Sequence, residues 1–178
     1  SEQEKRQLLE VFNDKQSAYP GEKTIVDLFE EQVRRTPQDV ALVFEDKKLT
    51  YHELNEQSNH LAYYLKENHQ IQPDDLVGVM VGRSEKMIIT ILGILKSGGA
   101  YVPIDPEYPE ERIKFILEDS GCKALITQSE LKTRLLSIAN HELTVVTIET
   151  VLTSHSPIVN FQSSIVNPHH LAYVIYTS

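Results

Sequence analysis

The chain has 178 residues, 40% of them hydrophobic, which is enough for one ordinary domain with a core. Its 26 acidic and 17 basic residues give a formal net charge of -9, which argues against a nucleic acid or an anionic membrane surface as a partner. A single cysteine, Cys122, excludes an internal disulfide framework, and with no charged-then-apolar leader at the start it predicts a cytoplasmic setting.

The first part of the chain divides into a linker and two small elements. Residues 1–23 begin polar, carry one short apolar cluster and end near a proline–glycine pair, which predicts a linker. Thr24 is a suitable N-cap with Asp27 three residues later, so a helix is expected to follow and to stop at Thr36 and Pro37. The next stretch, "VALVFEDKKLTY", alternates in polarity and predicts two short strands joined by a tight turn.

The stretch "LTYHEL" predicts the start of a longer helix. Thr50 is followed three residues later by Glu53, the spacing at which the two side chains and backbone N–H groups bond reciprocally. One apolar face of this helix is formed by Leu54, Leu61, Ala62 and Leu65. The run "LVGVMVG" that comes next is typical of a strand buried on both faces of a parallel sheet.

The segment "SEKMIITILGILKSGG" predicts a helix that is apolar nearly all round. Ser84 is the expected N-cap and Gly98 or Gly99 the stop, while Gly93 would let a neighbouring element approach closely. Its longest apolar run is too short to cross a bilayer. We therefore expect this helix to be packed between two layers, with some of its partners supplied from outside this chain.

The remaining elements continue the alternation of strands and helices. "AYVPIDP" and "KALIT" predict strands on either side of a helix that Pro109 opens and Gly121 ends. A short helix over 130–139, a strand at "LTVVTI" and a polar loop over 153–170 are expected to follow. This alternation predicts an α/β fold, with a layered, mainly parallel sheet and flanking helices.

The chain ends in "LAYVIYTS", an apolar run that closes on two hydroxyl side chains. Its chemistry predicts a strand, with Tyr173 and Ile175 directed toward the core. An exposed free terminus of this composition is unusual, so we expect the parent chain to continue beyond Ser178.

Spacing alone identifies no catalytic residue and no metal ligand. The histidines do not share a helix face, and the closest pair, His169 and His170, is adjacent in sequence. Asp105 is set in an apolar strand but is expected to hydrogen-bond its own turn rather than act as a general base. Cys122 leads into an apolar strand and is expected to be a buried structural thiol.

Three stretches in order, "LTYHELNEQSNHLAYYL", "LKSGGAYVPIDPEYPEERIKFILEDSGCKALIT" and "LAYVIYTS", resemble the first three core signatures of the adenylation domain of nonribosomal peptide synthetases. The opening stretch also resembles the junction that follows a condensation domain. The resemblance covers nearly the whole chain and implies two parts, a linker over 1–23 and the N-terminal part of an adenylation domain over 24–178. It also implies the fold of the large lobe of an adenylate-forming enzyme.

The resemblance implies a parent enzyme that activates an amino acid with ATP and Mg²⁺ and loads it on the phosphopantetheine thiol of a carrier domain. The implied partners are the rest of the adenylation domain, an upstream condensation domain and a downstream carrier domain. Thr177 and Ser178 match the first two hydroxyl positions of the family's phosphate-binding loop. The pocket residues and the catalytic lysine of the family lie further along, so the 178 residues alone are expected to be inactive.

Two alternatives compete with this interpretation. A free-standing acyl or D-alanyl ligase of the same superfamily would share the signatures, but the condensation-like linker over 1–23 weighs against it. A non-catalytic α/β scaffold is the other, and the apolar last segment weighs against such an independent module.

Overall fold

The computed structural model describes residues 2–11, 21–138, 143–154, 161, 163 and 167–177. Helices of the described parts are α1 Glu2–Arg6, which continues as a π-helical turn Gln7–Val11, then α2 Ile25–Arg35, α3 Tyr51–His69, α4 Glu85–Ser97, α5 Glu110–Ser120, α6 Ser129–Ile138 and α7 Ile148–Thr153. The strands are β1 Val40–Phe44, β2 Lys47–Thr50, β3 Leu76–Met80, β4 Ala100–Pro103, β5 Ala124–Thr127 and β6 Thr144–Thr147. A search of the described helices finds none with the length and apolar character to span a membrane.

The centre of the fold is a four-stranded parallel sheet in the order β4-β3-β5-β6. Helices connect its successive strands, as parallel pairing requires. The strands β1 and β2 form a separate antiparallel hairpin. The predicted α/β architecture with a parallel sheet and flanking helices is confirmed.

The sheet is buried on both faces, and alternate residues of each strand enter different cores. One core, which includes residues of α3, α4 and α7, takes Val77, Val79, Ala124, Ile126 and Val146 from the strands. The other core, which includes residues of α5 and α6, takes Met80, Val102 and Leu125. Cys122 is buried in this second core, where desolvation raises the pKa of its thiol, as expected of a structural cysteine.

Two of the predicted helix starts are built as the sequence indicates. Thr24 accepts a bond from the Asp27 N–H at 3.2 Å, and Asp27 Oδ2 accepts the Thr24 N–H at 2.7 Å. Thr50 and Glu53 repeat the arrangement at 3.2 Å and 2.8 Å. Ser84 is the N-cap residue of α4 as predicted, but its side chain makes no cap hydrogen bond, because its hydroxyl donates to the Gly82 carbonyl.

The helix α4 is covered by elements of this same chain. It packs against α3, and a Cβ built at Gly93 would lie 2.8 Å from the Leu61 Cβ, so the two backbones approach as closely as predicted. Ile89 and Ile94 are fully buried, although Ile88 is exposed. Most residues of α4 are therefore buried within this chain, and because Ile88 is exposed, the expectation of further partners from outside stays a prediction.

One short helix was not predicted from the sequence. The strand predicted at "LTVVTI" ends at Thr147, and α7 then covers Ile148–Thr153, with Ile148 and Val151 buried. Much of the polar loop predicted over 153–170 lies outside the described residues.

Candidate functional site

The last described segment, residues 171–177, lies beside the outer edge of β4. The Tyr101 N–H donates to the Ala172 carbonyl and the Val174 N–H donates to the Tyr101 carbonyl, both at 3.0 Å. These two bonds form a single parallel bridge rather than the full strand that the sequence predicts. The ladder stops because the next residue of β4 on this edge, Pro103, has no N–H to donate.

The two sides of this segment have different surroundings. Val174 and Tyr176 pack against the core that contains α5 residues, whereas Tyr173 is 52% exposed and Ile175 is 58% exposed. The prediction that Tyr173 and Ile175 face the core is therefore wrong. The helix α5 covers the other side of this edge, and that is the side on which Val174 and Tyr176 lie.

Three residues of α5 hold the end of the segment. The Tyr176 hydroxyl donates to Asp119 Oδ2 at 2.6 Å, and this hydrogen bond to a carboxylate raises the pKa of Tyr176 to about 12. The Phe115 ring meets the Tyr176 ring edge-on, with centroids 6.2 Å apart. Arg112 Nη2 donates to the Thr177 carbonyl at 3.1 Å. These α5 residues could not be identified from the sequence, because their partners lie more than fifty positions away.

A groove of about 670 Å³ opens beside this segment, at the carboxyl ends of β3 and β4. Its lining includes Val81, Gly82, Arg83, Met87, Ile91, Tyr101, Pro103, Ile104, Asp105, Glu107 and Ile175. The turn after β4 is fixed, since Asp105 accepts the Glu107 N–H at 2.8 Å and Arg134 donates to the Tyr108 carbonyl at 2.9 Å. Asp105 thus bonds its own turn, as predicted.

A second position at the carboxyl ends of the strands is closed by side chains. Open parallel sheets bind ligands where the strand order reverses, which here is between β3 and β5. At that point Gln128 accepts the Gly82 N–H at 2.9 Å, and Glu149 bonds both Lys86 at 2.6 Å and the Ser129 N–H at 3.1 Å. Burial opposes ionisation of Glu149, yet these bonds lower its pKa. The groove beside β4 therefore remains as the open position.

A buried lysine lies at the opposite end of α4 from the groove. Lys96 is fully buried, and its Nζ donates to Asn55 Oδ1 at 2.6 Å and to Asn59 Oδ1 at 2.7 Å. It also lies 5.1 Å from the centroid of the Phe29 ring. Desolvation lowers the pKa of Lys96 to about 8, against an opposing influence of Glu30. It lines no part of the groove, and we assign it a structural role.

Of the two residues that the family resemblance assigns to phosphate binding, the structure describes only Thr177. Thr177 is exposed at the end of the segment, with its carbonyl held by Arg112. Ser178 lies outside the described residues. Within the described ranges, no group of three or more His, Cys, Asp or Glu side chains could hold a metal ion.

Comparison with known proteins finds a family of AMP-binding enzymes and several peptide synthetases. The family model for AMP-binding enzymes matches residues 29–178. Bacitracin synthase 1 of Bacillus licheniformis is 48% identical over 182 aligned residues, which cover 100% of this chain and 3% of that protein. Gramicidin S synthase 2 of Brevibacillus brevis is 46% identical, again over 100% of this chain and 4% of that protein. The chain therefore spans a small fraction of the length of these relatives.

Solved structures agree with the sequence matches. The AMPPNP-bound form of the nonribosomal peptide synthetase FmoA3 has a TM-score of 0.82 at 34% identity, covering 97% of this chain and 18% of that one. An artificially fused adenylation–PCP di-domain from Klebsiella oxytoca, NpsA-ThdA, has a TM-score of 0.77 at 28% identity, covering 88% of this chain and 28% of that one. Both are peptide synthetases, which favours the peptide-synthetase interpretation over the free-standing ligase and the scaffold.

Proposed function

This chain belongs to the family of AMP-binding enzymes, and from that membership we propose that its parent protein activates an amino acid with ATP. The products would be an aminoacyl adenylate and pyrophosphate, and the acyl group would then pass to the phosphopantetheine thiol of a carrier domain. The AMPPNP-bound neighbour supports ATP as the nucleotide, and the neighbour fused to a PCP domain supports a carrier as the acceptor.

The observation that carries this proposal is the open groove at the carboxyl ends of β3 and β4, which Ile175 and Tyr176 line just before Thr177 in the chain. In the proposed reaction the amino acid's carboxylate attacks the α-phosphate of ATP and pyrophosphate leaves. Catalysis of this kind depends on positioning and on stabilising negative charge. We assign Thr177 and Ser178 to the phosphates, where hydroxyl and backbone N–H groups would donate hydrogen bonds.

The roles of Mg²⁺ and phosphopantetheine are assigned outside the described residues. Mg²⁺ would neutralise charge on the phosphates. Because the described acidic residues form no cluster that suits a cation, we assign it no ligand there. The carrier's thiol would receive the acyl group after adenylation, and no described residue of this chain is assigned to that step.

The proposed organisation places a linker over 1–23 and the N-terminal part of an adenylation domain over 24–178. An upstream condensation domain, a downstream carrier domain and the rest of the adenylation domain are the proposed partners. The family match begins at residue 29, shortly after the proposed boundary, which supports that division. We propose a cytoplasmic location, consistent with the lone and buried Cys122.

Amino-acid-dependent exchange of pyrophosphate into ATP tests the proposed function. The full synthetase that contains this chain should catalyse the exchange with one or a few amino acids, and the 178 residues alone should not. Absence of exchange with every proteinogenic and common non-proteinogenic amino acid would contradict the proposal. Robust exchange by the 178 residues alone would contradict the assignment of essential groups outside them.

A further inference from the structure

We propose that one face of α5, formed by Arg112, Phe115 and Asp119, positions Thr177 for the outer phosphates of ATP. This inference rests on the proposed function, because it assigns a task to residues that do not themselves contact the nucleotide. Arg112, Phe115 and Asp119 are positioning residues, and through them α5 supports the segment 171–177.

The three residues lie on one face of the helix. Positions 112, 115 and 119 are spaced by three and four residues, which places their side chains above one another along α5. All three reach the same short stretch of chain, where Asp119 and Phe115 meet Tyr176 and Arg112 meets Thr177. The contacts thus form one continuous row from the helix to the end of the segment.

Support from the sheet ends earlier in the segment. The Leu171 N–H donates to Asp74 Oδ1 at 2.7 Å, and the bridge to Tyr101 involves Ala172 and Val174. Pro103 prevents the ladder from going further, so the polar contacts described for Tyr176 and Thr177 both come from α5. The last residues before the proposed phosphate contact are therefore oriented by a helix rather than by strand pairing.

The bond from Arg112 restrains the backbone itself. A guanidinium that donates to the Thr177 carbonyl restrains the backbone of Thr177 through a charge-assisted hydrogen bond. A phosphate that is bound at Thr177 then meets a residue whose backbone is already held, so less conformational entropy is lost on binding. Loss of this restraint is expected to weaken ATP binding more than amino acid binding.

The test uses the full synthetase with substitutions on α5. In R112M the KM for ATP should rise about tenfold, because a charge-assisted hydrogen bond is lost, while the KM for the amino acid stays within about twofold. R112K should recover most of the loss, since an ammonium can still donate to the carbonyl. K114M is the matched control, because Lys114 is paired with Glu118 on the same helix at 3.8 Å and is not among the residues that hold the segment.

A second set of variants tests the other end of the row. Y176F and D119A should each raise the KM for ATP by about threefold, and the double variant should add little to either, because both remove the same hydrogen bond. D119N should remain close to the original protein, since its amide oxygen can accept from Tyr176.

The results separate this inference from the function on which it rests. If the original synthetase shows no exchange, the proposed function fails and this inference fails with it. If the original is active and R112M leaves the KM for ATP unchanged, the positioning role alone is overturned. Equal rises in both KM values, together with a lowered Tm, would show that α5 only supports the fold.

Discussion

The contact between α3 and α4 and the edge segment 171–177 are stabilised in different ways. Leu61 packs onto Gly93 in a fully buried interface, and Lys96 is enclosed between α3 and α2. The edge segment, in contrast, has exposed residues on one side and depends on a few hydrogen bonds. Substitutions in the closely packed contact are expected to lower the free energy of unfolding of the whole fold by a large amount. Substitutions in the sparsely bonded edge segment are expected to have small effects that stay local.

The largest expected effect follows from Gly93→Val in the adenylation domain that contains this chain. A Cβ at this position lies 2.8 Å from Leu61 side-chain atoms, so the two helices must separate. We expect the free energy of unfolding to fall by about 3 kcal/mol. Denaturant unfolding measures it.

Gly82→Val is the matched control. There a Cβ would meet only the flexible end of Gln128, at 3.3 Å, so the loss should stay within about 1 kcal/mol. Similar losses for the two variants would contradict the close packing of α3 on α4.

The pH dependence of stability tests the buried lysine. Lys96 has a pKa of about 8 in the folded state, below its ordinary value of 10.5, so the unfolded chain binds more protons between these two pH values. Stability should therefore rise with pH in this window, by about 2 kcal/mol between about pH 7 and about pH 9.5. Well below pH 8 both states are protonated, and the penalty of burying the charge is fully present.

The contribution of Lys96 is obtained as a difference between proteins. The rise should be absent from K96M relative to the original protein, and K114M, which removes an exposed lysine, should retain it. Parallel curves for K96M and the original protein would mean that Lys96 is not desolvated as described.

The cap of α3 should have an intermediate effect. Thr50→Ala removes the acceptor for the Glu53 N–H, and we expect a loss of about 1 kcal/mol. Ser84→Ala is the control at the start of α4, where the side chain makes no cap bond, and it should cost less than about 0.5 kcal/mol. Thermal unfolding of both variants compares them, and equal losses would refute the cap assignment.

The smallest global effect is expected for Tyr176→Phe. The free energy of unfolding should change by less than about 0.5 kcal/mol, because an edge segment can open without unfolding the core. Amide hydrogen exchange should become faster in residues 171–177 and stay unchanged in α3 and α4. Faster exchange throughout both regions would show that the edge and the core open as one unit.

Local signals explain which parts of the fold were predictable. The capping boxes at Thr24 and Thr50 lie within four residues of chain, and the strands β3 and β5 are apolar runs. The burial of Lys96 could not be read in the same way, because its partners Asn55 and Asn59 lie about forty positions earlier in the sequence.

The candidate site was only partly predictable for the same reason. Thr177 was identified through a family resemblance, whereas Arg112 and Asp119 act on the end of the segment from about sixty residues away, through a helix whose position the sequence does not state. The prediction that Tyr173 and Ile175 face the core is wrong for a related reason. Alternation along a strand defines two faces, but it does not say which of them α5 covers. The short helix α7 is hard to predict because it has only six residues and follows a strand directly. Its N-cap residue, Thr147, makes no side-chain cap hydrogen bond.

Pro103 has a consequence for aggregation as well as for pairing. An edge strand with free N–H groups can recruit a strand from another molecule, and a proline on that edge removes the donor that such recruitment requires. Since Tyr101 already pairs with the edge segment and Pro103 follows two residues later, β4 offers little length for an intruding strand. The residue that shortens the sheet would therefore also protect the nascent domain against association through this edge.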